Sequence, residues 1–199
     1  MIEVEIKIPL PNPEFIKEEL KKMNGQYICS LIHEDTYYNM PEKLRDFKET
    51  DEALRIRKSI KFNKHHKEES QISNTFLTYK GKKIDIETKT RKELETKVED
   101  GEKLRELLNI LGFREVLTVK KERELFKLTY KDYDIEILLD YIPVLQKYFL
   151  EVEYISPNEE KIDMIKALLF EFLGTLNITK ADSIRKSYLE LIIESFSNS

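Results

Sequence analysis

The chain opens on MIEVEIKI, in which apolar and charged residues alternate from Ile2 to Ile8. Alternation with a period of two is typical of a β-strand that has one apolar and one polar face. Further extended segments alternate in the same way or are rich in β-branched and aromatic residues. We therefore predict strands over 1–8, 26–40, 51–62, 73–80, 91–98, 114–130, 133–142 and 147–156.

Apolar residues at helical spacing lie between or after these strands. Helices are predicted over 11–25, 100–113, 158–174 and 183–196, with Asn12 as an N-cap and with Gly25 and Gly112 at helix ends. About eight strands with inserted helices predict an α+β fold built on an antiparallel sheet or barrel. Because no linker divides the chain, we expect a single domain over 1–199, with strands within about 1–155 and C-terminal helices at about 158–197.

Composition narrows the class of protein. Lys and Arg total 34 and Asp and Glu total 38, so the formal net charge is −4, which argues against a nucleic-acid binder. Cys29 is the single cysteine, which excludes an intrachain disulfide and fits a reducing compartment. Since neither a leader pattern nor a membrane-length apolar run occurs, we expect a cytoplasmic protein without membrane contact, and a homodimer stays open. His65 and His66 are interpreted as part of a solvated hairpin loop.

Like charges stand two residues apart on one face of four predicted strands. The pairs are Glu3/Glu5, Arg55/Arg57, Glu93/Glu95 and Glu151/Glu153. Such pairs repel each other unless a counter-ion or ligand offsets the charge. Two interpretations stay open on the pattern alone: charged faces in water, or a closed eight-stranded sheet whose charged interior has room for one small ligand.

A family resemblance rests on EVEIK (3–7), which is similar to the Glu-x-Glu-x-Lys opening of the CYTH family, the triphosphate tunnel metalloenzymes. Further segments resemble the family's blocks in the family's order across almost the whole chain. They are EDTYYN (34–39), LRDFKETDEALRIRK (44–58), LTYKGKK (77–83), TRKELETKV (90–98), VKKERELF (119–126), LLDYI (138–142), FLEVEYI (149–155) and RKSYLELI (185–192). The resemblance implies an eight-stranded antiparallel tunnel with a polar, charged lumen and helices packed outside.

The resemblance also implies a site in that lumen, which binds a small-molecule triphosphate. The matching cations are Lys7, Arg55, Arg57, Lys80, Lys121 and Arg123, with Arg91 as a weaker candidate; Arg and Lys suit a ligand of about four negative charges. Carboxylates require a hard divalent ion between themselves and phosphate, so we expect Mg²⁺ or Mn²⁺. The expected metal ligands are Glu3, Glu5, Glu151 and Glu153, with Glu93, Glu95, Glu136 and Asp140 lining the same lumen.

Glu3, Glu5 and Lys7 are the candidate catalytic residues. The family often has a glycine before its Phe-x-Glu-x-Glu strand, where this chain has Gln146 and Lys147, which affects the expected position of Asp140.

Three functions remain compatible with the sequence. The first is hydrolysis of inorganic triphosphate, ATP, thiamine triphosphate or another small organic triphosphate. The second is a class IV adenylyl cyclase reaction, in which ATP yields cAMP and pyrophosphate. The third is a non-catalytic module that binds polyphosphate or nucleotide, against which the many carboxylates count. Because the sequence contains no recognisable adenine pocket, hydrolysis is the first prediction.

Overall fold

Eight antiparallel strands close into a barrel in the computed structural model, which describes residues 2–64, 71–156 and 158–197. The order around the barrel is β1-β5-β4-β3-β2-β6-β7-β8, and β8 returns to β1. The predicted α+β barrel is confirmed, whereas the prediction for His65 and His66 lies outside the described residues. The strands are β1 (Ile2–Leu10), β2 (Gln26–Asn39), β3 (Ala53–Phe62), β4 (Ile72–Lys80), β5 (Arg91–Val98), β6 (Arg114–Tyr130), β7 (Tyr133–Ile142) and β8 (Lys147–Ser156).

The two neighbours of β1 pair with it to very different extents. β1 pairs with β8 along its whole length, from Ile2 opposite Ser156 to Leu10 opposite Tyr148. With β5 it shares only two positions, Ile2 opposite Lys92 and Glu3 opposite Arg91. Beyond Glu3, the end of the 81–90 connection therefore lies beside β1 in place of a strand.

Apolar residues of the strands face outward, toward the helices. Val4 and Ile6 of β1 are almost fully buried in a cluster with Ile16 of α1 and Leu169 of α3. Since alternate residues of a strand point to opposite sides, the charged face of β1 is turned into the barrel. The helices are α1 (Pro13–Lys22), α2 (Gly101–Ile110), α3 (Ile162–Thr175) and α4 (Tyr188–Ser197), with short 3₁₀ turns at Pro143–Leu145, Glu159–Lys161 and Lys180–Asp182.

Two predicted helix boundaries illustrate local control of the fold. Asn12 caps α1, because its side-chain oxygen accepts the Glu14 N–H at 3.0 Å. The last helix begins at Tyr188 and not at the predicted Ser183. The reason is that the Ile184 N–H donates to the Lys7 carbonyl oxygen at 2.8 Å, a bridge that pairs the chain with β1 at this position in place of a helical turn.

Helix α4 covers one end of the barrel. Its Tyr188 and Ile192 are buried against Val119, Ile142 and Phe149. Val119 lies on the same face of β6 as Lys121 and Arg123, so this apolar cluster fills the lumen at that end. Among the described helices, none has the length and apolar character needed to cross a bilayer.

Candidate active site

A cavity of about 600 Å³ occupies the lumen of the barrel. Inward-facing side chains of seven strands line it, so the sheet brings together residues that are far apart in sequence. Thirteen of the fifteen predicted site residues are among them. They are Glu3, Glu5, Lys7, Arg55, Arg57, Lys80, Arg91, Glu93, Glu95, Lys121, Arg123, Glu151 and Glu153.

Three carboxylates on adjacent strands form what we call the acidic cluster: Glu3 and Glu5 of β1 and Glu153 of β8. One oxygen from each lies within 4.8 Å of the others. Burial and the charge of Glu151 raise the pKa of Glu5, and burial and the charge of Glu3 raise that of Glu153 well above its usual range. Crowding and burial therefore disfavour the ionised form of these carboxyl groups, an effect that a bound cation would reverse. Hard oxygen ligands at this spacing fit a divalent ion such as Mg²⁺ or Mn²⁺.

Glu151 was predicted as a fourth ligand, but its carboxylate lies among cations. It accepts from Lys7 at 3.1 Å and from Arg123 at 2.5 Å, and the Lys89 ammonium is 3.7 Å away. Burial alone would raise its pKa, yet these cations hold the pKa of Glu151 well below its usual range. In this structure Glu151 is thus a charged partner of the lysines and of Arg123.

Opposite the acidic cluster lies the cationic wall, which consists of Arg55 and Arg57 of β3 and Lys121 and Arg123 of β6. These strands flank β2, four positions away from β1 around the barrel. The guanidiniums and the ammonium of the wall are held in place by two buried aspartates, Asp35 and Asp140. Such a wall presents several hydrogen-bond donors to an anion at once.

Asp35 orients the β3 half of the wall. Its carboxylate accepts two hydrogen bonds from Arg57, at 2.6 and 2.8 Å, and one from Arg55 at 3.2 Å. Although burial opposes it, the charges of Arg55 and Arg57 lower the pKa of Asp35 well below its usual range. Asp35 therefore stays ionised and fixes both guanidiniums.

Asp140 does the same for the β6 half and does not line the cavity. It accepts two hydrogen bonds from Arg123, both at 2.6 Å, one from Lys121 at 3.4 Å and one from the Tyr188 hydroxyl at 2.8 Å. It is fully buried beneath the wall. Its occupied oxygens suit an orienting role better than the predicted ligand role.

Glu136 is also absent from the cavity lining. It lies two positions beyond Leu138 on the inward face of β7, half-buried, and pairs with Lys127 at 2.9 Å. The alternation along β7 predicts that Glu136 and Asp140 share one face of the strand, but it does not predict how far along the barrel axis each residue lies. Glu136 lies opposite Glu153 of β8 and Asp140 lies opposite Phe149, so the two residues occupy different levels of the barrel, and of the two Glu136 is at the level of the acidic cluster.

A second group of ion pairs connects the two sides through β4 and β5. Lys80 lies 2.6 Å from Glu93 and 3.3 Å from Glu3, and Arg55 lies 3.6 Å from Glu93. Arg91 is buried and donates to the Gly81 carbonyl oxygen at 3.3 Å. Lys80 and Glu93 therefore link the acidic cluster to the cationic wall.

Two buried lysines of the cavity hold their protons weakly. Burial and the charge of Lys89 lower the pKa of Lys7 to about 7, and burial and the charge of Arg123 lower that of Lys121 to about 8. The Lys7 ammonium lies 3.4 Å from the centre of the Tyr188 ring. An anion that enters the cavity would raise both pKa values, so binding and protonation are coupled.

The sequence prediction missed three charged or polar residues of this lumen. Asp35 and the buried His33 stand at alternate positions with Tyr37, so the period-two pattern of β2 could have placed them inward. The His33 Nδ1 has no hydrogen-bond partner within the described parts of the chain, and burial and the charge of Arg57 lower its pKa far below the usual value. Lys89 lies outside any strand, so no periodic signal marks it.

Comparison with known proteins places these observations in a family. Residues 1–188 match the family model described as the CYTH domain. A protein of Methanocaldococcus jannaschii named "Putative adenylate cyclase MJ0240" is 43% identical over 191 residues, which cover 96% of this chain and 98% of that protein.

Two solved structures share the barrel. The PH1819 protein of Pyrococcus horikoshii OT3 has a TM-score of 0.79 and 40% identity, covering 97% of this chain and 99% of its own. A Hippeastrum protein, described as "Putative adenylyl cyclase HpAC1" with a dominant triphosphatase activity, has a TM-score of 0.62 and 15% identity, with 97% and 96% coverage. At 15% identity this second likeness supports the fold alone.

Proposed function

Because the chain belongs to the CYTH family, we propose that it is a divalent-metal-dependent hydrolase of small triphosphates. The observation that carries the proposal is one cavity with a carboxylate cluster on one side and oriented cations on the other. A triphosphate with a bound metal ion has matching ends, since its oxygens attract the cations and its metal attracts the carboxylates.

The chain's own residues would divide the work as follows. Glu3, Glu5 and Glu153 hold the metal, which when bound polarises the phosphoryl oxygens as a Lewis acid. Arg57 and Arg123 bind the phosphate chain with guanidiniums whose orientation the buried aspartates fix. Such pre-oriented donors stabilise charge that develops on the departing phosphate without reorganising at the moment of reaction.

The protonation of Lys7 and Lys121 depends on the ligand. Each is buried, and each has a pKa close enough to neutrality that an entering anion decides its charge. Lys7 lies between Glu151 and the Tyr188 ring, two residues after Glu5 on the same face of β1. We assign it a catalytic role in binding and neutralising the phosphate nearest the acidic cluster.

A second candidate function is cyclisation of ATP. Apolar side chains also line the cavity, among them Phe47, Val116, Leu189 and Ile193. This surface suits the uncharged part of an organic triphosphate, which the sequence prediction did not anticipate. The named relative from Methanocaldococcus jannaschii adds to this candidate.

Product identification separates the candidates. The protein is incubated with inorganic triphosphate, ATP or thiamine triphosphate in the presence of Mg²⁺ or Mn²⁺, and all products are identified. We expect inorganic triphosphate to give phosphate and pyrophosphate faster than ATP gives cAMP, and EDTA to stop both reactions. Dominant cAMP with intact inorganic triphosphate would establish the cyclase instead, and tight binding without any product would establish a binding module.

A further inference from the structure

Lys89 occupies an unusual position for a loop residue. The connection between β4 and β5 ends with Thr88, Lys89 and Thr90, which are 1%, 8% and 0% exposed. The Lys89 N–H donates to the Glu5 carbonyl oxygen at 3.0 Å, beyond the point where β1 and β5 cease to pair. The Lys89 side chain thereby enters the lumen next to the acidic cluster.

The backbone around Lys89 is anchored from outside the barrel. Arg185 donates to the carbonyl oxygens of Thr88 and Asp85, at 3.3 and 2.9 Å. Asp85 in turn accepts from Lys166 of α3 at 2.8 Å. Because these contacts hold the main chain, rearrangement at this point is confined to the flexible Lys89 side chain.

The Lys89 ammonium neutralises a carboxylate that a metal ion would need as a ligand. It lies 2.5 Å from a Glu5 oxygen and 3.7 Å from a Glu151 oxygen. Glu5 is a member of the acidic cluster, so an ammonium on its carboxylate and a divalent ion in the cluster repel each other at short range. Burial alone would lower the pKa of Lys89, but the charges of Glu5 and Glu151 raise it above the usual value, so it remains charged.

We propose that Lys89 is an exchangeable counter-ion of the metal site, an inference that rests on the proposed function. Without metal, its ammonium neutralises Glu5. When a divalent ion enters the acidic cluster, the ammonium leaves Glu5 and binds the triphosphate that the metal ion accompanies. Lys89 thus opposes binding of the metal alone and favours binding of metal and triphosphate together.

Opposite effects of one substitution test this role. In Lys89→Met, free Mn²⁺ measured by electron paramagnetic resonance should show at least tenfold tighter metal binding than in the wild type. Calorimetry with Mn²⁺ and a non-hydrolysable imido analogue of triphosphate should show at least fivefold weaker binding of the analogue. Lys89→Arg, which keeps the charge, should resemble the wild type in the metal titration. Lys82→Met, on the exposed part of the same loop, is the matched control and should change neither affinity.

A measurement on the wild-type protein covers the case in which Lys89→Met does not fold. Addition of Mg²⁺ should shift the ¹³Cε resonance of Lys89, assigned by its loss in Lys89→Arg, while the Lys82 resonance stays in place.

The outcomes separate this inference from the proposed function. Equal Mn²⁺ affinity in wild type and Lys89→Met, or an unshifted Lys89 resonance with Mg²⁺ bound, overturns the counter-ion role and leaves the metal site intact. Absence of Mn²⁺ binding from all variants overturns the metal site and the role of Lys89 with it.

Discussion

The acidic cluster and the cationic wall are oppositely charged regions of one cavity, and their charges are neutralised differently. In the wall, Asp35 and Asp140 each accept hydrogen bonds from two cations, and their pKa values are lowered. In the cluster, carboxylates face one another and the pKa values of Glu5 and Glu153 are raised.

This difference distinguishes carboxylates that orient neighbouring cations from carboxylates that are available to bind a metal ion. A buried carboxylate with its hydrogen bonds already made contributes orientation, and removing it leaves buried cations unpaired. Where carboxyl groups crowd one another, as in the acidic cluster, their ionised form is disfavoured, and a bound metal ion would reverse this. We therefore expect the two regions to respond differently to substitution.

The largest expected effect is on stability, at the cationic wall. Asp140→Ala should lower the free energy of unfolding by about 3–5 kcal/mol, because Lys121 loses its buried carboxylate partner and Arg123 keeps only Glu151. Urea titration measures the loss. Asp134→Ala is the matched control on β7, since this exposed aspartate accepts a single hydrogen bond from Thr129, and it should cost less than about 1 kcal/mol. Equal losses in the two variants would remove the orienting role from Asp140.

At the acidic cluster the expected effect is on turnover instead. Glu5→Gln, like Glu3→Gln, keeps the shape but loses charge that holds the metal, so metal-dependent turnover should fall by about a hundredfold with the fold intact. Initial rates and circular dichroism measure the two properties. Glu34→Gln, which changes an outward carboxylate paired with Lys120, should retain wild-type rates. Wild-type rates in Glu5→Gln would contradict the ligand assignment.

The cationic wall should also affect substrate use. Arg57→Ala should lower kcat/KM for inorganic triphosphate by about tenfold, chiefly through KM, since a charge-assisted hydrogen bond to phosphate is lost. Arg57→Lys should recover only part of this loss, because an ammonium cannot reproduce the two parallel hydrogen bonds to Asp35. Full recovery by lysine would show that charge alone matters, and unchanged kinetics in Arg57→Ala would remove Arg57 from the binding site.

The smallest effect is a pH dependence at Lys121, whose pKa is lowered to about 8. Affinity for the imido analogue of triphosphate should fall about threefold between about pH 7.5 and 8.5, as the ammonium loses its proton. Stability should change in the opposite direction. Between about pH 8 and 10.5 the unfolded chain binds the proton that the folded chain has released, so the contribution of Lys121 to stability rises with pH. Calorimetry and urea titration at each pH test both signs.

The same pH series in Lys121→Met provides the comparison. Removing the ammonium should abolish the part of both pH dependences that belongs to this residue. An unchanged loss of affinity above pH 7.5 in this variant would assign the titration to another group.

The sequence predicted the inward orientation of a side chain correctly where the alternation within its own strand determines that orientation. Alternation along β1, β3 and β8 places Glu3, Arg57 and Glu151 inward without reference to any other part of the chain. It could not separate Glu151 from Glu153, two residues apart on one face, because side chains of other strands decide which carboxylate is neutralised and which is crowded.

The remaining residues depend on closure or on irregular backbone. Tyr188 packs in the apolar cluster at the barrel end, and its hydroxyl also donates a hydrogen bond to Asp140 of the distant strand β7. Lys89 reaches Glu5 because an 81–90 loop takes the place of strand pairing, and no local pattern encodes that approach. The periodic pattern of the sequence therefore does not predict contacts between distant segments of the chain.

Pairing of β1 with β8 makes barrel closure and metal-site assembly one event in folding. Glu3 and Glu5 come from the first strand and Glu153 from the last, and such non-local pairings form late and slowly. A partly folded chain with this seam open has no acidic cluster. A divalent ion would therefore act as a ligand of the native state alone, shift the folding equilibrium by mass action, and report by its release the moment at which the seam opens.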